Sequence, residues 1–216
     1  MATAKRFTTP SGVAVYPKLV VADTKYNIEG EYKTSLRLPA DATIGGEPLI
    51  AFLEKHCAAS MVKHQAEEDV KARAKNKKPK PIKAGVEPYE VDEETNEIIV
   101  KFKLKATGMT RDKVVFTQKP ALFDAKGTPY KGKEIWGGSV IKVAFEVVPY
   151  FTVLIGAGIS LRLKAAQIIE LKQGSSDGSS FGFGEEEGYE TSEEDNIPPF
   201  SMDDSEQSTP EGSGDF

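Results

Sequence analysis

The stretch "EIIVKFKLKA", residues 97–106, alternates apolar and polar side chains with a period of two. Successive side chains of an extended strand point to opposite faces, so Ile98, Val100, Phe102 and Leu104 share one face. Ile99, Lys101, Lys103 and Lys105 share the other. A helix would scatter both sets around its circumference, so the segment fits a strand with one buried and one solvated face. The same pattern recurs in "GVAVYPKLVV", where Val13, Val15, Leu19 and Val21 are expected to share a face, and in "YKTSLRLP", where Tyr32, Leu36 and Leu38 oppose Lys33 and Arg37. It recurs again in "SVIKVAFEVVPYF", with Ile141, Val143, Phe145 and Val147 inward, and in "ISLRLKAAQIIEL", with Ile159, Leu161 and Leu163 opposite Arg162 and Lys164. Shorter candidate strands are "KVVFTQ" at 113–118 and "FTVLI" at 151–155.

One segment breaks this rhythm. After "GGEP", where Pro48 suits a first helical turn, Leu49, Phe52, Leu53, Cys57 and Met61 follow at three- and four-residue spacing. The stripe ends near His64, and the helix is expected to run out into solvent there. From Ala72 to Val86 come six basic residues and no acid: Arg73, Lys75, Lys77, Lys78, Lys80 and Lys83. Pro79 and Pro81 keep the later part extended. Six like charges repel one another unless a polyanion is present, so a mobile basic arm that meets phosphates is expected. A plain solvated loop is the other reading of the same residues.

Charge divides the chain after Gln173. Residues 1–173 carry all 28 Lys and Arg and 20 of the 33 acids; residues 174–216 carry the other 13 acids and no base. The overall charge of −5 therefore describes neither part. The expected organisation is a basic body, 1–173, and a disordered Gly-, Ser- and acid-rich tail, 174–216. A basic body suits a polyanionic partner, and an acidic tail suits protein interaction or regulation. The single cysteine, Cys57, leaves no internal disulfide to form and fits a reducing compartment. No stretch approaches the roughly 20 apolar residues of a membrane span, and "MATAKRFTTPSG" lacks the apolar core of a signal peptide. The expectation is a soluble, intracellular protein without a membrane partner.

Catalytic patterns are scarce. There is no phosphate loop of the Walker type, no HExxH helix and no paired cysteine ligands. His56 and His64 stand eight residues apart on the expected helix without a ligand set beside them, and Cys57 sits on its apolar stripe. "GAGIS" at 156–160 is followed by strand alternation, not by the helix that a dinucleotide loop requires. Neither an enzyme nor a metal or cofactor is expected.

Binding patterns are better supplied. Lys101, Lys103 and Lys105 project from one strand face at about 6.5 to 7 Å intervals, comparable to the spacing of phosphates along an extended single strand. Lys33, Arg37, Arg162 and Lys164 add to the cationic set. Single-strand binders also use flat aromatic platforms on which bases stack. Tyr130 and Trp136 lie among Lys131, Lys133 and glycines in "TPYKGKEIWGGSV", and Tyr150 follows Pro149 at a strand end. About five strands, one inserted helix, a basic face and loop aromatics amount to a mainly β, five-stranded OB-type barrel.

The closing "SLRLKAAQIIEL", the "WGGSVIKVAFEV" strand, the long helix between early strands and the acidic ending with Phe216 last together give the chain a likeness across its whole layout. It resembles the phage single-stranded DNA-binding proteins of the short-tailed coliphage replication type. That resemblance implies an OB-fold, binding of single-stranded DNA without sequence preference, strand annealing, roles in replication, recombination and repair, and often a homodimer. It places the protein in the cytoplasm of the infected bacterial host. It further implies that the tail contacts the phage DNA polymerase and helicase-primase through Asp203, Asp204, Glu206, Glu211, Asp215 and Phe216. Here the ending is interrupted by "STPEGSG", so its acids are less dense than in the family pattern. A protein-interaction scaffold, or an RNA-binding OB module, remains the alternative from the residues themselves.

Overall fold

In the computed structural model, residues 5–25, 27–110 and 112–172 are described, and the tail residues named above lie outside them. The strands are β1 (Arg6–Thr8), β2 (Gly12–Asp23), β3 (Glu31–Leu38), β4 (Thr43–Ile44) and β5 (Glu47–Pro48). The helix α1 (Leu49–Ala74) follows, then β6 (Tyr89–Val91), β7 (Ile98–Lys105), β8 (Thr107–Met109), β9 (Val115–Thr117), β10 (Ala121–Phe123), β11 (Val140–Thr152) and β12 (Gly156–Glu170).

Five long strands pair in a closed ring. β2 pairs antiparallel with β3, β3 with β7, and β11 with both β12 and β2, while β7 and β12 run parallel. This is the OB arrangement expected from the sequence, with the mainly β composition and the one long helix in place. β1, β6 and β10 extend the sheet at its edges, and β8–β9 forms a separate hairpin.

The ring closes because the alternating apolar positions meet inside it. Leu36, Val100, Phe102, Ile141, Val143, Phe145, Leu161 and Leu163 are all fully buried, and the rings of Phe102 and Phe145 lie 5.1 Å apart. α1 closes one side of the core with Leu49, Phe52 and Leu53; Phe7 of β1 meets Phe52 edge-on at 4.8 Å. Cys57 is half-buried on the same stripe, and burial raises its thiol pKa. Burial likewise lowers the imidazole pKa of neighbouring His56. Ser60 is the one buried polar residue of the helix, and its hydroxyl donates to the Gly158 carbonyl at 2.7 Å, tying α1 to β12.

Three local expectations are corrected. In β2 the inward residues are Ala14 and Leu19, whereas Val13 and Val21 are exposed. The register shifts between Val15 and Lys18, so two residues of β2 oppose one of β3. That bulge moves the inward set from the parity of Ala14 to that of Leu19, and the register shifts again between Lys18 and Asp23, around Val21; simple alternation registers neither shift. Next, "FTVLI" is not a separate strand. β11 continues through Thr152, and residues 153–155 form the turn into β12, where the Ile155 N–H donates to Thr152 Oγ1 at 3.2 Å.

The third correction concerns the helix beyond His64. The far half of α1 is not abandoned to solvent: His64 stacks on Phe151 at 5.9 Å, and Gln65 donates to the Lys80 carbonyl and accepts from the Ile82 N–H. The segment after the helix therefore folds back along it. The N–H of Ala157 then donates to the Lys83 carbonyl at 2.9 Å, and that of Gly85 to the Ala157 carbonyl at 2.7 Å. Gly156 permits the approach, since its φ is +103° and a Cβ there would lie 2.3 Å from the Lys83 oxygen. Arg73, Lys75, Lys77, Lys78, Lys80 and Lys83 are exposed along this segment, whose downstream end pairs with β12.

Candidate nucleic-acid interface

A groove of about 1530 Å³ runs over the outer face of β2, β3 and β7 and the start of β12. Its rims are the loop carrying Trp136, the segment at Val86–Pro88, and the end of the β11–β12 hairpin with Tyr150, Thr152 and Ile155. Of the residues expected from the sequence, Lys33, Lys101, Lys103, Lys105, Trp136 and Tyr150 converge here. Lys18 and Lys25 join them, so six lysines face the groove against four carboxylates, Asp23, Glu31, Glu87 and Glu134.

Register explains how the cations are arranged. Lys18 of β2 is the cross-strand partner of Lys33 on β3; Lys33 pairs with Lys103 on β7; and Lys103 pairs with Arg162 on β12. Four basic residues thus form a continuous row across four neighbouring strands, with rungs about 4.8 Å apart. Like charges directly opposite each other destabilise a sheet unless something neutralises them. The ladder expected along β7 is real, but the stronger alignment runs across the strands.

The basic face also carries acids. Lys101 is engaged by Glu90 of β6, Arg37 by Glu97 at 3.5 Å, and Lys33 by Asp23 at 2.6 Å. The Lys33 hydrogen bond, helped by the Lys25 N–H, holds the Asp23 carboxyl below the usual carboxylate range. A depressed carboxylate contributes stability above its unfolded pKa and loses it as pH falls through the folded value, so this contact is complete at neutral pH and lost only in acid. Among the described residues, Lys103 and Lys105 have no carboxylate within ion-pair distance.

The aromatic groups differ in role. Trp136 is 53% exposed, yet its backbone is pinned. Its N–H donates to the Lys172 carbonyl at 3.3 Å, its own carbonyl accepts from Ser139, and Gly138 donates to the Ala14 carbonyl. An open indole on a fixed backbone is a platform ready for stacking. Tyr150 lies across Gly158, with its hydroxyl donating to the Val86 carbonyl at 3.4 Å, so it forms part of the groove wall. Tyr130 is elsewhere: its ring packs on the core and its hydroxyl donates to the Lys133 carbonyl. Arg37, Arg162 and Lys164 also lie outside the main groove.

Sequence reasoning missed Tyr16. It sits in the β2 bulge with φ of +47°, a conformation that costs a non-glycine residue roughly 1 to 3 kcal/mol and collects at functional sites. The bulge turns it outward at the groove, 85% exposed. The available signal was Pro17, which has no N–H to give to a strand ladder and so marks a bulge or an edge within the strand.

An OB ring with its ligand-side strands and hairpins forming a cationic groove, and with open aromatic faces on that groove, defines a domain of the kind that holds single strands. The sequence profile of the family described as "Single-stranded DNA-binding protein, Bacteriophage T7" matches residues 12–171, and the chain belongs to that family, one of binding proteins rather than enzymes. Among solved structures it is similar to gp2.5, a single-stranded DNA-binding protein encoded by bacteriophage T7, at 25% identity and a TM-score of 0.63, over 88% of this chain and 100% of that one. A single-stranded DNA-binding protein from bacteriophage Enc34 aligns at 14% identity and a TM-score of 0.44, over 80% of this chain and 85% of that one. The Enc34 protein in complex with ssDNA aligns at 12% and 0.45, over 78% and 88%. Compared with curated protein sequences, the chain matches none.

Proposed function

We propose that the chain coats single-stranded DNA during phage replication, recombination and repair, and promotes annealing of the strands it holds. The observation that carries this is the transverse row Lys18, Lys33 and Lys103, running through a groove that also presents Trp136, with Arg162 continuing the row beyond the groove edge. Phosphates neutralise the row, and bases stack on Trp136, Tyr16 and the Tyr150 wall. None of these contacts reads a base edge, so binding is indifferent to sequence. Annealing fits such a mode, because a backbone-held strand keeps its Watson–Crick edges open.

The test is an oligonucleotide titration followed by Trp136 emission at several salt concentrations. Stacking quenches the indole, and neutralising three or four phosphates gives a slope of log affinity against log salt of about −2 to −3, at roughly −0.7 per phosphate. A slope near zero, with unchanged emission, would overturn the assignment.

The ending carries a second part of the proposal, resting on the sequence. The acids Asp203, Asp204, Glu206, Glu211 and Asp215 steer, and the Phe216 ring supplies an apolar anchor, for the phage polymerase and helicase-primase in the host cytoplasm. Co-purification of those partners with the full chain and with a Phe216→Ala variant tests it. Recruitment is expected to weaken while DNA binding stays; equal recruitment by both proteins would refute the anchor.

A further inference from the structure

Beside the main groove, beyond Lys103 and Lys105, lies a smaller depression of about 390 Å³. It is lined by these two lysines, by Arg162, and by Met109 and Phe116 of the β8–β9 hairpin. Resting on the proposal that the groove holds single-stranded DNA, we infer that this depression is a second nucleotide station, where the strand leaves the groove and stacks a base on Phe116.

Phe116 is built as a platform. It is the cross-strand partner of Gly108, and its ring lies over that glycine: a Cβ at Gly108 would fall 2.5 to 3.1 Å from three ring atoms. One face of the ring is therefore seated on bare backbone, which only glycine allows, while the residue remains 42% exposed. An exposed phenylalanine on a two-stranded hairpin buries little for the fold, since such a hairpin is marginal by itself.

The cation beside it is also held in place. Arg162 pairs across the strands with Glu146 of β11, and Glu146 pairs onward with Arg6 of β1. The Glu146 side chain is only 9% exposed and gathers three cations: Arg6 at 3.7 Å, Lys164 at 3.7 Å and Arg162 at 3.8 Å. One carboxylate among three cations leaves a surplus of positive charge. The contacts are longer than hydrogen bonds, and Arg162 keeps about half of its side chain in solvent. Glu146 thus orders the guanidinium at the edge of the depression without satisfying its donors, leaving the bidentate fork for a phosphate. A stacking surface and an ordered cation in one recess are what a nucleotide of a single strand requires.

The test uses the full chain and thymidine oligonucleotides of about four to sixteen nucleotides, the range over which OB domains differ in site size. Phe116→Ala is expected to cost little on the shortest oligonucleotides and about tenfold on those long enough to reach past Lys105, with Phe116→Trp restoring the affinity. Arg162→Ala should lower the salt slope by about 0.7 on the long oligonucleotides alone. To separate a lost platform from a disturbed hairpin, Phe116→Trp in a Trp136→Phe background reads the station directly: long but not short oligonucleotides quench its emission. Equal losses at every length, or no loss and no quenching at any, would overturn the second station while leaving the main groove intact. If the unaltered chain binds no oligonucleotide of any length, the station and the function on which it rests fail together.

Discussion

Reversing the charge of Lys103 is expected to weaken single-stranded DNA binding roughly 30- to 100-fold while leaving the fold as stable as before or slightly more so. Both halves of that result come from one register. Lys103 stands between Lys33 and Arg162, its direct partners on the flanking strands, and among the described residues no carboxylate lies within ion-pair distance of it. Lys103→Glu would place an acid between two bases. Opposite-charge pairs directly across a sheet contribute about 0.2 to 1 kcal/mol each, so relieved repulsion offsets any loss of local packing. DNA meets the opposite change. A phosphate loses its counter-charge and gains a repelling one in mid-row, and the salt slope should shrink by at least about 0.7. Thermal denaturation and a salt-resolved titration of the same variant check both. A less stable protein with unchanged affinity would mean that Lys103 serves the sheet and not the ligand.

Removing the Phe145 side chain is expected to have the largest effect on the fold. Phe145 is fully buried and meets Phe102 at 5.1 Å and Phe7 at 5.9 Å, joining β11 to β7 across the ring and to β1 outside it. Phe→Ala in such a core typically costs about 3 to 5 kcal/mol, from lost transfer energy and from the cavity left behind. For a body of this size, each kcal/mol lowers Tm by about 2 to 4 °C, so a fall of roughly 6 to 20 °C is expected. Against a typical total stability of about 5 to 15 kcal/mol, the loss leaves little reserve. A melting curve shifted by only a degree or two would mean that the ring does not close on this aromatic pair.

Much of this fold could be read from the sequence, because a closed sheet with one buried face writes itself as period-two alternation. β3, β7, β11 and β12 place Leu36, Phe102, Phe145 and Leu161 inward as that alternation requires. β2 was legible only in part: the bulge at Tyr16 changes parity midway, and a bulge is a property of a pair of strands, not of one. The candidate site followed the same division. Residue type and exposure marked Lys33, Lys103, Lys105 and Trp136, which do share the groove. Partnership did not show. Glu90, Glu97 and Glu146 are remote in sequence from the cations they engage, and only pairing brings them together. The same holds for the row from Lys18 to Arg162, whose members lie on four strands, and for the seating of Phe116 on Gly108.

The most direct test of the groove as the DNA site is backbone amide chemical-shift mapping of the full chain titrated with a thymidine oligonucleotide. Shifts concentrated at Lys18, Lys33, Lys103 and Tyr150 and at the Trp136 indole N–H, and small along the exposed face of α1, are the result expected from a strand crossing β2, β3 and β7. Shifts centred on the α1 face, with the Trp136 indole unmoved, would contradict it.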